Sequence, residues 1–139
     1  MGTIAERGLH AVAILLTLAL AAAALKRWQK LRASRARPLA GLEPGKVSIV
    51  YFHSPSCAVC RTTQRPILER LLAREGGDRL HLISIDVSER GEVARAWGVS
   101  TVPSTYVIGS SGEVEHVNNG LASEPTLRRQ VSSQDGHRR

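Results

Sequence analysis

The sequence predicts an α/β domain, a mixed four-stranded sheet flanked by helices, preceded by one transmembrane helix. Three observations carry this reading. From residue 46 onward, runs rich in β-branched residues alternate with stretches of helical periodicity. An uncharged apolar stretch lies near the N-terminus, and a run of basic residues follows it at once. The chain accordingly divides into an N-terminal extension (1–8), a transmembrane helix (9–25), a basic juxtamembrane tether (26–45), a folded domain (46–131) and a flexible tail (132–139).

The span is the stretch LHAVAILLTLALAAAAL, Leu9 to Leu25, which carries no formal charge when His10 is neutral. It sits at the lower limit of the roughly 17–25 residues needed to cross the hydrocarbon layer. Trp28 stands where an interfacial anchor belongs. A cleaved signal peptide is the main competing reading, since the AAAA run offers small residues to a peptidase, and a peripheral helix is another. The flanks favour an uncleaved anchor. Only Arg7, offset by Glu6, precedes the apolar stretch, whereas Lys26, Arg27, Lys30, Arg32, Arg35 and Arg37 follow it, the reverse of a signal peptide. Basic residues in that window are retained on the cytoplasmic side, so a single-pass protein with a cytoplasmic domain is expected, the extracytoplasmic face being the alternative. The same residues can lie along anionic headgroups, which makes membrane lipids an expected partner. The stretch ASRARPLAGLEPGK, broken by Pro38, Gly41, Pro44 and Gly45, reads as the tether.

In the domain, KVSIVYF ending at His53 has the pattern of a buried strand. A turn through Ser54, Pro55 and Ser56 leads into a helix in which Ile67, Leu68, Leu71 and Leu72 recur at helical spacing until Gly76 and Gly77 stop it. Pro66 lies inside that helix and should kink it. LHLISIDV is a second strand, ending at Asp86. Ser88 reads as the N-cap of a short helix through Val93 and Trp97 that Gly98 closes. VSTVPSTYVIGSSGEVEHV reads as two strands joined by a turn at Ser110, Ser111 and Gly112. A last helix is expected near Glu124 to Val131. Aromatics are few, so aliphatic side chains such as Leu68, Leu71, Ile83 and Val107 must supply most of the core.

The net charge of +7 is concentrated in the first forty residues, which carry +6 of it. The remainder is nearly neutral and lacks the basic footprint of a nucleic-acid binder. Two cysteines cannot build a disulfide-rich framework.

Those two cysteines, Cys57 and Cys60, stand three positions apart in SPSCAVCRTTQRP at the start of the first domain helix. Three readings compete: a redox couple, half of a metal site, or two small apolar residues. Side chains three apart on a helix are neighbours, at about the separation a disulfide needs. Unpaired N–H groups and the helix dipole at this end favour a thiolate. Cys57, nearer the end, would attack, and Cys60, one turn inward, would resolve the mixed disulfide. Arg61 and His53 are candidate modulators of thiol acidity. A structural zinc would have to recruit two of His53, His81 and His116, none at a ligand-like spacing, so no metal is expected.

A strand, C-x-x-C opening a helix, a second strand and helix, and then WGVSTVPSTYVI together resemble the thioredoxin superfamily over about residues 46–131. The resemblance implies a trimmed thioredoxin-like fold in a membrane-anchored protein, with little room for the extra first strand and helix of full thioredoxins. It implies that Pro103 is a cis-proline beside the active-site disulfide, that Val102 before it pairs with an extended substrate segment, and that Gly120 lies near the substrate groove. Asp86 matches a common family position and reads as a loop cap. Five positions depart from the pattern: Tyr51 stands where many thioredoxins carry a buried acid, Ser56 replaces a tryptophan, Ala58-Val59 replaces Gly-Pro, and Pro66 falls one residue late. The expected activity is a membrane-tethered thiol:disulfide oxidoreductase that reduces protein disulfides through a Cys57/Cys60 dithiol-disulfide cycle. It needs a dithiol electron donor and no cofactor beyond that redox-active disulfide. A non-catalytic binding module that holds a partner at the membrane is the alternative.

Overall fold

A computed structural model of the chain describes residues 4–35, 39, 41–43 and 45–135. The first helix, α1, runs from Ile4 to Arg35. Within it Arg7–Ala33 holds a window long and apolar enough to cross a membrane, and none of that window is buried. The tether expected to begin at residue 26 is therefore helical as far as Arg35, which corrects the sequence reading. The stretch KRWQKLRASR contains no Gly or Pro and is rich in strong helix formers, so nothing stops the helix after Leu25. Gln29 and Ala33, one turn apart, are buried against the domain. Arg37, Pro38 and Pro44 of the expected tether lie outside the described residues.

Four strands form one sheet in the order β2-β1-β3-β4. β1 (Val47–His53) is central, pairing parallel with β2 (Leu80–Asp86) and antiparallel with β3 (Ser104–Ile108), while β4 (Val114–Asn119) pairs antiparallel with β3. Alternate side chains of a strand point to opposite faces. On one face Val47, Ile49 and Tyr51 pack against Ile67, Leu68 and Leu71 of α2 (Arg65–Glu75) and Leu127 and Val131 of α4 (Glu124–Asp135). On the other, Val50 and Phe52 meet Ala94 of α3 (Gly91–Ala96), Trp97, Tyr106 and Ala33 of α1. Phe52, Trp97 and Tyr106 form a ring cluster with centroids 5.4–5.9 Å apart. Tyr106 donates its hydroxyl to the Trp97 carbonyl at 3.1 Å, and burial pushes its phenol up to about 12. β1 is covered on both faces, which is why the run 49–52 is apolar on both sides instead of alternating, Ser48 being the one buried polar residue of the strand.

Three local readings are adjusted. Pro66 lies in the first turn of α2, directly after a π-helical turn, Cys60–Gln64, and the helical run continues unbroken from Ala58 to Glu75. Pro66 has no N–H to offer, and the helix widens before it, Arg65 N–H donating to the Cys60 carbonyl five residues back. Ser88 does not cap α3. Its N–H and hydroxyl both donate to Asp86 Oδ1, at 2.8 and 2.6 Å, so Asp86 closes the loop after β2 and these bonds hold its carboxyl below the usual range. α4 continues to Asp135, past the expected end at Val131, because Leu127, Val131 and Gln134 form one buried stripe. Residues 136–139 of the expected tail lie outside the described residues.

Candidate active site

β1 delivers the chain to the top of the sheet at His53, and a short turn carries it into the helix. Ser54 builds the turn. Its hydroxyl accepts the Ser56 N–H at 3.3 Å, and its carbonyl accepts the Cys57 N–H at 3.1 Å. Arg61 reaches back and donates to the Pro55 carbonyl at 2.6 Å, so its guanidinium braces this turn. Cys57 therefore stands immediately before the helical run.

Cys57 and Cys60 are joined in a disulfide with their Cα atoms 5.3 Å apart. The Cys60 N–H points at Cys57 Sγ from 3.1 Å, the contact a capping side chain makes with the third helical residue. It is one of the donors that every helix start leaves unpaired, and it is aimed at the sulfur that would carry negative charge once the pair is reduced. Cys57 is half-buried, whereas Cys60 is 1 % exposed. An incoming group can thus reach the first sulfur and not the second. Among the described residues, no group of three or more His, Cys, Asp or Glu could hold a metal ion.

Beneath Cys60 lies Tyr51, whose phenol donates to the Cys60 carbonyl at 3.0 Å. Burial raises this phenol above its ordinary value, against an opposing pull from Arg65. His53 stacks on Tyr51 with centroids 5.1 Å apart and an interplanar angle of 28°. Burial lowers the His53 pKa, with Asp86 pulling it back up and Arg65 adding to the decrease.

The peptide bond between Val102 and Pro103 is cis. Pro103 is buried, and Val102 and Cys57 both pack against one apolar cluster of the core. The Gly120 N–H donates to the Pro103 carbonyl at 2.8 Å, bringing the end of β4 to the same place. Gln64 completes the frame: its amide donates to the Ala122 carbonyl at 3.2 Å and accepts the Ala122 N–H at 2.8 Å. Val59 and Leu121 stay exposed. Sequence reasoning brought Cys57, Cys60, Val102, Pro103 and Gly120 into consideration; it missed Tyr51 as a hydrogen-bond donor and Gln64 altogether. The available signal for Gln64 was a polar residue on the buried side of the helix, one turn after Cys60.

The thioredoxin family model matches residues 41–133. The chain is 34% identical to a thioredoxin of Bacillus subtilis over 62% of its own length and 80% of that protein. It is 33% identical to a thiol:disulfide interchange protein DsbE homolog of Paracoccus denitrificans, over 56% of this chain and 52% of the relative. A thioredoxin structure from Halobacterium salinarum superposes with a TM-score of 0.57 at 28% identity, covering 65% of this chain and 75% of that one. The match spans the sheet, the cysteine helix and the cis-proline loop, and the chain belongs to the thioredoxin family of thiol:disulfide oxidoreductases.

Proposed function

We propose that this protein is a membrane-tethered reductase of protein disulfides. The observation that carries the reading is the Cys57–Cys60 bridge at a helix start, with the outer sulfur accessible, the inner one buried and an N–H aimed at the outer one. In the reduced protein, Cys57 thiolate attacks a substrate disulfide. A Cys57–substrate S–S bond forms, and the other substrate sulfur leaves as a thiolate and takes a proton from water. Cys60 then loses its proton and attacks Cys57 Sγ. The internal disulfide forms, the mixed disulfide breaks, and the second substrate sulfur leaves and is protonated. Two electrons have passed to the substrate, and a dithiol donor returns the pair to its reduced state by the same exchange.

Val102 lies outside the strand ladder, which begins at Ser104, and is the residue whose backbone pairs with an extended substrate segment. Pro103 and Gly120 shape the groove, and the exposed side chains of Val59 and Leu121 give it apolar margins. Arg61 acts by bracing the turn before Cys57, and His53 by shielding Tyr51.

α1 anchors the domain, with its apolar segment in the bilayer and its basic end at the headgroups. A cleft of about 480 Å³ between α1 and β4 is lined by Lys26, Arg27 and Lys30 and by one carboxylate, Glu115, which pairs with Lys30 at 3.6 Å; its remaining excess of positive charge suits it to anionic lipid phosphates. The basic flank favours a cytoplasmic domain.

The test uses the full chain in detergent with insulin as substrate and dithiothreitol as donor. Wild type accelerates the reduction over dithiothreitol alone, Cys57→Ser does not, and Cys60→Ser, reduced and then freed of dithiothreitol before insulin is added, accumulates a covalent mixed disulfide visible on a non-reducing gel. Acceleration by Cys57→Ser above the dithiothreitol background refutes the mechanism. A reporter fused to the C-terminus reads the orientation independently.

A further inference from the structure

Gln29 lies in the basic part of α1, between the half-exposed Trp28 and Lys30, yet its own side chain is 0 % exposed. A buried primary amide is tolerated only when its donors and acceptor are paired. Here they are. Nε2 donates to the Gly98 carbonyl at 3.0 Å and to Asn119 Oδ1 at 3.3 Å, and Oε1 accepts from Asn119 Nδ2 at 2.8 Å.

The two partners sit on different segments. Gly98 follows α3 and opens the loop that ends in Val102 and the cis-linked Pro103. Asn119 is the last residue of β4, pairs in register with Ser104, and immediately precedes Gly120, whose N–H holds the Pro103 carbonyl. One amide thus grips both segments that converge on Pro103. The helix seats closely there: Gly98 has φ +71°, and a Cβ on it would lie 3.4 Å from Trp28 and 3.5 Å from Gln29. A Cβ would fit there at ordinary contact distance, so it is the left-handed φ and not the space that favours glycine at this seat.

We propose that Gln29 is a positioning residue for disulfide exchange, through which α1 sets the spacing of the Gly98–Pro103 and Asn119–Gly120 segments that receive a protein substrate. The proposal rests on the oxidoreductase reading above and adds to it that the membrane-proximal helix is part of the substrate groove. Gln29 does not touch either sulfur in any of its hydrogen bonds, so the exchange chemistry itself is independent of it. A small disulfide that needs only Cys57 is indifferent to the spacing. An extended protein segment that must pair along the loop is not.

The experiment uses the full chain in lipid nanodiscs and compares insulin with oxidised glutathione as substrates. Gln29→Met keeps the length of the side chain and removes its hydrogen bonds; Asn119→Leu removes them from the domain side and serves if Gln29→Met fails to fold. Either variant should raise KM for insulin about tenfold, leaving kcat and the glutathione rate within about twofold. Val117→Ala, which loosens the neighbouring core without touching the amides, should leave KM unchanged at a comparable loss of melting temperature. An unchanged KM in both amide variants overturns the proposal, as does an equal rise of KM in Val117→Ala. Failure of the wild type to reduce either substrate would instead overturn the oxidoreductase reading.

Discussion

The phenol of Tyr51 donates a 3.0 Å hydrogen bond to the carbonyl of Cys60, at the point where the sheet meets the cysteine helix. That carbonyl also accepts the Arg65 N–H across the π-helical turn, so the buried member of the pair is held through its main chain from two directions. Tyr51→Phe removes one of them with almost no change in shape. Its expected cost is about 0.5–1.5 kcal/mol of stability, the net worth of an ordinary hydrogen bond, read as a lower denaturant midpoint at an unchanged slope. Wild-type stability in this variant would mean the bond carries nothing.

Reduction frees Cys57 to ionise beside the Cys60 N–H and the unpaired start of the helix. Its thiol should titrate below the roughly 8.5 of a free cysteine, because both features favour the anion. The rate of iodoacetamide alkylation of the reduced protein against pH measures this directly. A midpoint at or above the free value would contradict the assignment of Cys57 as attacking group.

Gln64 replaces a missing strand neighbour for Ala122, satisfying both its N–H and its carbonyl. Gln64→Leu strands two buried main-chain groups and should cost about 1–3 kcal/mol or more. Faster amide hydrogen exchange at Ala122, two residues beyond Gly120, is the local signature. Exchange as slow as in the wild type would show that another group holds this loop.

His53 and His116 both have pKa values lowered from 6.5, chiefly by burial, which outweighs the opposing carboxylates Asp86 and Glu115 and is reinforced by Arg65 and Lys30. A histidine that binds its proton more weakly folded than unfolded lets the unfolded state take up protons first, so stability falls as pH drops through about 6.5. The carboxyls with lowered values, Asp86 and Glu43, lose their contribution only at more acidic pH. The melting temperature should therefore decline between pH 7 and pH 5, less so in His53→Gln/His116→Gln. A flat profile over that range would be inconsistent with the burial of these rings.

The sheet is legible because its central strand is buried on both faces and is therefore mostly apolar, and the site because two cysteines at a helix start and a Val-Pro pair before a strand are each local patterns. What escaped was tertiary. Residues 26–35 carry charge without hydrophobic periodicity, and only contact with Gly98 and Asn119 makes Gln29 an interior residue. Ser88 is a good cap by type, but Asp86 two positions earlier captures it first. Tyr51 reads as one more aromatic in a strand, since nothing in its neighbours announces that Cys60 will fold over its hydroxyl. Pro66 announces a disturbance of the helix, but the form it takes, a widened turn over Cys60–Gln64, leaves no mark in composition.

α1 passes from its apolar stretch into the domain without a break, and this limits where the disulfide can work. With the apolar stretch in a bilayer, Leu25 and Gln29 are one turn apart, about 6 Å of rise. A leash would let the thiols roam; a rod bolted to the domain by an amide does not. In the membrane-tethered protein proposed above, such a rod would hold the sulfurs at one fixed height over the lipid surface, and a target would have to present its own disulfide at that height.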